Sequence, residues 1–141
     1  MTLHLIKLCV GADSLADLAQ WQKRRAAERR RKGASGAIMH ITRMMPKRAD
    51  ELLDGGSLYW VIKGQIAARQ KLTAIKPVTR EGVPHCALVL DKKIVPLVPR
   101  QHRAFQGWRY LEPGDAPPDL KGAKSKLPEK LRAELAQLGL L

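Results

Sequence analysis

The stretch Ser57-Leu58-Tyr59-Trp60-Val61-Ile62-Lys63 most constrains the fold. It is dense in β-forming residues, opened by Asp54-Gly55-Gly56 and closed by Gly64. Its apolar side chains fall on both faces, with Leu58, Trp60 and Ile62 on one and Tyr59 and Val61 on the other. A strand wet on one side alternates apolar and polar residues, whereas one apolar on both sides belongs inside a covered sheet. Leu3 to Val10 repeats the pattern, Leu3, Leu5 and Cys9 against Ile6, Leu8 and Val10, with Lys7 as the exception. Both segments read as interior strands.

Between them, Asp13 and Ser14 supply an N-cap, Asp17 stands where a capping box needs an acceptor, and the pattern is helical up to Gly33. Leu15, Leu18, Ala19, Gln22 and Ala26 share one helix face, but Arg29 and Arg30 come next on it. The apolar stripe therefore stops early, and the last turn is expected to project into solvent, because unpaired cations resist burial. Ala37 to Met44 reads as a strand, and Pro46, at a helix N1 position, opens a short helix through Leu53. Ile66 to Lys76 reads as a strand with Ile66, Ala68, Leu72 and Ala74 inside and Arg69, Lys71 and Thr73 outside. After the turn Arg80-Glu81-Gly82 come strands Pro84 to Leu90, Ile94 to Val98 (an edge, given Pro96) and Phe105 to Leu111.

One helix followed by many short strands predicts an α+β domain, built on a strongly bent mixed sheet or small pseudobarrel with two or three flanking helices. The domain is expected to span residues 1–111. Residues 112–126, rich in Pro, Gly and Lys, read as a linker, and residues 127–141 as an amphipathic helix whose stripe is Leu127, Leu131, Leu135 and Leu138. A chain of 141 residues that is 45% hydrophobic can bury the core this requires.

Charge narrows the class of partner. There are 26 Lys and Arg against 13 Asp and Glu, a net charge of +13, which favours a polyanion. The densest cluster is Lys23, Arg24, Arg25, Arg29, Arg30, Arg31 and Lys32 against the single acid Glu28. Seven cations exceed what a helix C-terminus needs to balance its dipole, and arginine's planar donor fork suits phosphate. Arg43, Lys47 and Arg48 form a second cluster at the short helix, where Asp50, Glu51 and Asp54 could instead neutralise them. A third set, Arg100 to Tyr110, holds half of the six aromatic residues. Trp108 and Tyr110 share a strand face opposite Arg109, an arrangement suited either to stacking single-stranded bases or to packing in the core.

Catalytic and metal signatures are weak. His4, His40, His85 and His102 have no metal-ligand spacing, no serine lies in a nucleophile elbow, and Gly33-Ala34-Ser35-Gly36 follows a helix where a P-loop would precede one. No catalytic residue, metal or cofactor is assigned. Lys47 with Glu51, beside Asp50 and Lys63, is the one set that could do acid–base work if it converged. Cys9 and Cys86 are far apart and read as reduced buried thiols, no apolar run reaches a membrane span, and no secretory signal is recognisable, so a cytoplasmic protein is expected.

Three strings carry a resemblance: Lys47 to Gly64, Leu3 to Gly11 and Phe105 to Leu111. Together they resemble a family of short alphaproteobacterial proteins classed as a domain of unknown function, over about Leu3 to Leu120. The resemblance implies a compact bacterial cytoplasmic protein and brings no functional residues with it. More broadly, a helix, a Gly turn and a Trp-bearing strand in a bent sheet look like the PUA and ASCH superfamily of RNA-binding pseudobarrels. That similarity is one of architecture, since Lys63-Gly64-Gln65 lacks the order of the ASCH Gly-x-Lys-x-x-x-x-Arg string.

The expectation is a non-enzymatic nucleic-acid-binding domain for RNA rather than DNA, because aromatic rings suit unpaired bases and no helix-turn-helix pattern is visible. Phosphates would meet Lys23, Arg24, Arg29, Arg30, Arg31, Lys32, Arg43, Lys47, Arg48, Arg69, Lys71 and Arg103, and bases would meet Trp108, Arg109 and Tyr110. The alternatives are a small enzyme acting on a nucleotide or RNA, and a module that docks on an acidic protein.

Overall fold

The computed structural model describes residues 2–121 and 127–138. The elements are β1 (His4–Leu8), α1 (Leu15–Arg31), β2 (Ile38–Thr42), α2 (Ala49–Leu52), β3 (Ser57–Ile62), β4 (Gln65–Arg80), β5 (Val83–Leu90), β6 (Val95–Gln101), β7 (Trp108–Leu111) and α3 (Glu129–Gln137). The domain is α+β, with an open seven-stranded mixed sheet in the order β2-β5-β4-β3-β1-β7 and β6 paired to β4. Of the two expected arrangements, the sheet adopts the bent, unclosed one. Among the described residues, no helix is long and apolar enough to cross a membrane.

The doubly apolar strands do what their pattern requires. β1 lies between β3, parallel to it, and β7, antiparallel. Leu5, Cys9, Leu58, Trp60 and Ile62 join a cluster with Leu18 and Ala26 of α1, while Ile6, Tyr59 and Val61 join a second cluster with Leu97 and Leu111. α1 covers the first face. Phe105 of the β6–β7 connection and Ala116 beyond β7 pack on the second.

β4 is the long strand on which the sheet turns. Its first half pairs with β3 and β6, and its second half with β5. Register shifts beside Val61 and between Ile66 and Ala68 change its parity, so Ile66 lies in the second cluster while Leu72 faces α1. Arg69 stays on the face opposite Leu72, but the segment after β7 covers that face and so corrects the solvent-facing position expected: its guanidinium is partly buried and forms two 2.7 Å bonds to the carboxylate of Asp119. The turns at both ends of β4 have positive φ at Lys63-Gly64 and at Glu81-Gly82, the signature of two-residue type I′ hairpins.

Ser14 Oγ accepts from the Asp17 amide and caps α1, and the Asp17 carboxylate accepts from the Asp13 amide. At the other end, Gly33 (φ +79°) closes a Schellman arrangement in which Gly33 donates to the Arg30 carbonyl and Ala34 to that of Arg29. The short helix begins later than expected. Pro46 is buried outside it, Lys47 and Arg48 form a turn, and the Arg48 amide is taken by the Tyr110 hydroxyl at 3.2 Å. Gly56 permits the tight approach that follows α2, since a Cβ there would stand 2.2 Å from the Leu3 carbonyl oxygen.

The segment after β7, which its composition marked as a linker, runs along β6. Val98 donates to the Pro118 carbonyl, Leu120 donates to that of Pro96, and Leu120 is buried. Residues 122–126 of that stretch and 139–141 of the C-terminal one lie outside the described residues. α3 packs on β6, where the Glu129 carboxylate accepts from the Leu15 amide at 2.9 and 3.0 Å.

Candidate functional site

The basic half of α1 divides into two kinds of residue. Lys23, Arg24, Arg30, Arg31 and Lys32 are exposed, and among the described residues no carboxylate pairs with any of them. Arg30 lies against Gly36, where a Cβ would come within 2.1 Å of its Nε. Arg29 is different and corrects the expectation that the whole last turn projects into solvent. It is partly buried and donates to the carbonyls of Ala37 at 2.8 Å and Met39 at 3.4 Å, tying the helix to the start of β2. Arg25 places its guanidinium 4.1 Å from the ring centre of the half-buried Trp21.

The second cluster is largely occupied with its own structure. Arg48 grips Glu51 through two bonds of 2.6 and 2.9 Å, which hold the Glu51 carboxyl below its ordinary pKa. Arg43 donates to the Pro84 carbonyl, whereas Lys47 is exposed. Lys63 sits in the β3–β4 turn, at the end of β3 remote from α2, so Lys47, Glu51 and Lys63 do not converge.

In the third cluster, Trp108 donates its indole N–H to the Met44 carbonyl at 2.8 Å and meets Tyr110 edge-on at 5.0 Å. Both rings are half-buried against the α1-side core. Arg109 is exposed, with its guanidinium 5.0 Å from the Phe105 ring centre, and Lys71 and Arg103 are also exposed.

A further site lies where none of these strings pointed. In the sheet register Lys7 stands between Trp60 and Trp108, so its side chain lies on the same face of the sheet as α1. Beside it is a cavity of about 330 Å³ whose lining includes Lys7, Trp21, Arg25, His40, Trp60 and Arg80. Among the described residues, no acidic side chain lines it. The His40 ring meets Trp60 edge-on at 5.2 Å, and its Nε2 is buried and, among the described residues, has no hydrogen-bond partner. Burial, and then the charges of Lys7 and Arg25, push the His40 pKa down to about 4, so the ring is neutral at pH 7. Burial also lowers the pKa of the Lys7 ammonium and pushes the Cys9 thiol up to about 11. The one sequence signal for this site was Lys7 itself, the cation that interrupts a strand otherwise apolar on both faces.

These features define a small α+β domain with a cationic helix laid across an open sheet and a cationic cavity at its flank. The chain belongs to the family described as Protein of unknown function (DUF1489), whose model matches residues 5–141. No curated protein and no solved structure matches it.

Proposed function

We propose that this protein is a nucleic-acid-binding domain that takes RNA rather than DNA. The observation that carries the reading is the set of cations on and beside α1: among the described residues, Lys23, Arg24, Arg31 and Lys32 are exposed without carboxylate partners, next to a cavity lined by cations and no acid. An unneutralised array of this kind creates a long-range positive field that collects phosphates by counterion release. Half-exposed Trp21 under Arg25 supplies a ring beside that array on which an unpaired base can stack, which is the reason to prefer single-stranded RNA. A bent mixed sheet crossed by a helix is also what supports a PUA-like reading, and an RNA ligand suits the bacterial cytoplasm that the sequence suggests.

The test is fluorescence anisotropy with mixed-sequence single-stranded RNA, with single-stranded and duplex DNA as competitors. With about six phosphate contacts, affinity drops ~10³-fold between 50 and 200 mM salt. Replacing Lys23, Arg24, Arg31 and Lys32 together by Gln reduces the slope by about 0.7 per lost contact. An affinity indifferent to salt, or unchanged in the four-Gln variant, overturns the reading.

A further inference from the structure

The cavity beside Lys7 gathers donors without acceptors. Lys7 comes from β1, Arg25 from α1, His40 from β2 and Arg80 from the end of β4, so four separate elements bring three cationic side chains and an imidazole to one space. A lysine on the core side of an interior strand is costly to desolvate and is ordinarily matched by a carboxylate. Among the described residues Lys7 has no such match, and none lines the cavity.

We propose that this cavity is a receptor for a phosphate monoester, carried either at the end of a polynucleotide strand or by a free nucleotide. The proposal rests on the RNA reading only for the first of these sources. A phosphate monoester carries a charge of about −1.5 to −2 at pH 7 and presents three acceptor oxygens. That matches an ammonium, two guanidinium groups and a neutral imidazole better than a carboxylate does, with one negative charge and two oxygens. The His40 Nε2, buried and among the described residues without a partner, is a polar group that is costly to isolate from water, and a phosphate oxygen relieves that cost when Nε2 carries the hydrogen.

Trp21 and Trp60 line the same space, and Arg25 is steadied over the Trp21 ring. The volume of about 330 Å³ is at the lower end of the range for small-molecule sites, roughly 300–1,000 Å³, and leaves room for part of the group esterified to the phosphate. Cys9 also lines the cavity and keeps its proton, so no thiolate competes with the anion.

The experiment uses the full chain and four probes: inorganic phosphate, adenosine 5′-monophosphate against adenosine, and one short RNA with and without a terminal phosphate at either end. Calorimetry and anisotropy are run on the parent, on Lys7→Met, which keeps an apolar stem on the core face, and on Arg80→Gln, at an exposed position beside the β4–β5 turn. Lys76→Gln removes one exposed charge elsewhere on β4.

The expected result is at least a tenfold preference for phosphorylated over hydroxyl-ended RNA, erased by Lys7→Met and by Arg80→Gln and kept by Lys76→Gln. If inorganic phosphate and the nucleotide bind with that same dependence while no RNA binds, the phosphate site stands, its ligand is a free nucleotide, and the RNA reading falls. If RNA binds equally well with either end, and neither variant weakens binding of phosphate or nucleotide, the receptor is overturned and the RNA reading survives.

Discussion

Gln22 and Gln70 exchange two side-chain hydrogen bonds, 2.7 and 2.9 Å long, across the interface between α1 and the sheet. The Gln70 amide also accepts from the Trp60 indole N–H and donates to the Asp91 carbonyl, so a side chain with no solvent exposure makes four hydrogen bonds to three partners. The pair fixes where α1 lies on β4, and with it the distance of Arg25 and Trp21 from the cavity. Gln70→Leu leaves the Trp60 N–H and the Asp91 carbonyl without this partner and is expected to cost about 3 kcal/mol in urea unfolding, given ~1–3 kcal/mol per unsatisfied buried group. Gln22→Leu costs less, because Gln70 retains Trp60 and Asp91. Equal losses in the two variants would show that the Gln22–Gln70 bonds alone set the cost.

The Arg69–Asp119 pair holds the segment after β7 against β6. Its side chains are 27% and 28% exposed, which puts it between a surface ion pair and a buried one. Arg69 also holds the Asp119 carboxyl below its ordinary pKa, so this contribution is present above pH ~4 and fades as acid protonates the carboxylate. Asp119→Ala is expected to cost about 1–2 kcal/mol. Hydrogen exchange gives the sharper reading: the amides of Val98 and Leu120 bond across this seam and should exchange faster in the variant. Unchanged protection at both would mean that β6 keeps the segment without the ion pair.

Neighbouring arginines of α1 should respond differently to the same change. Arg29→Gln loses two bonds to backbone carbonyls that the shorter amide cannot reach, and about 1–2 kcal/mol of stability with them. Part of the loss is offset, because Arg25 and Arg80 both repel the Arg29 charge. Arg31→Gln and Lys32→Gln, exposed in the last turn and at the cap, should each stay within about 0.5 kcal/mol of the parent. Thermal unfolding of the three single variants decides it, and equal midpoints would remove Arg29 from its structural role.

What was legible in the sequence follows the range over which each signal acts. The faces of β1 and β3, the Ser14 cap and the Gly33 stop are set by residues within a few positions of one another, and local pattern described them. Arg29 and Arg69 look in sequence like any exposed cation, because Ala37, Met39 and Asp119 become their partners only when helix and strands approach. The start of α2 was displaced for the same reason: the Tyr110 hydroxyl, from a strand 62 residues later, takes the Arg48 amide. The cavity was least visible, since residues 7, 25, 40 and 80 share no motif and meet only through the sheet register and the seating of α1.

His40 supplies a pH test of that cavity. The groups that face it are Lys7 and Arg25, with Arg29 and Arg80 near by, the Trp21 and Trp60 rings and the protonated Cys9, and none of these carries a negative charge. In the unfolded chain His40 takes up a proton near pH 6.5, whereas in the folded protein it does so only near pH 4. Above pH 6.5 the group therefore contributes nothing to the pH dependence. Between 6.5 and 4 the unfolded state binds more protons, so stability falls with pH by up to ~1.4 kcal/mol per unit, about 3 kcal/mol in all, and levels off below. His4, whose pKa is lowered by burial and by Arg69, adds to the slope with the same sign. Urea midpoints measured from pH 7.5 to 4.5 should drop for the parent and drop much less for His40→Gln, while the His40 ring resonances stay in the neutral form throughout most of that window. Inorganic phosphate, if it occupies the cavity, brings the one negative charge the ring lacks and raises its titration midpoint. A His40 that titrates near 6.5 in the free protein would mean that the ring is not enclosed among these cations, and a midpoint that phosphate leaves unmoved would mean that the anion does not sit beside it.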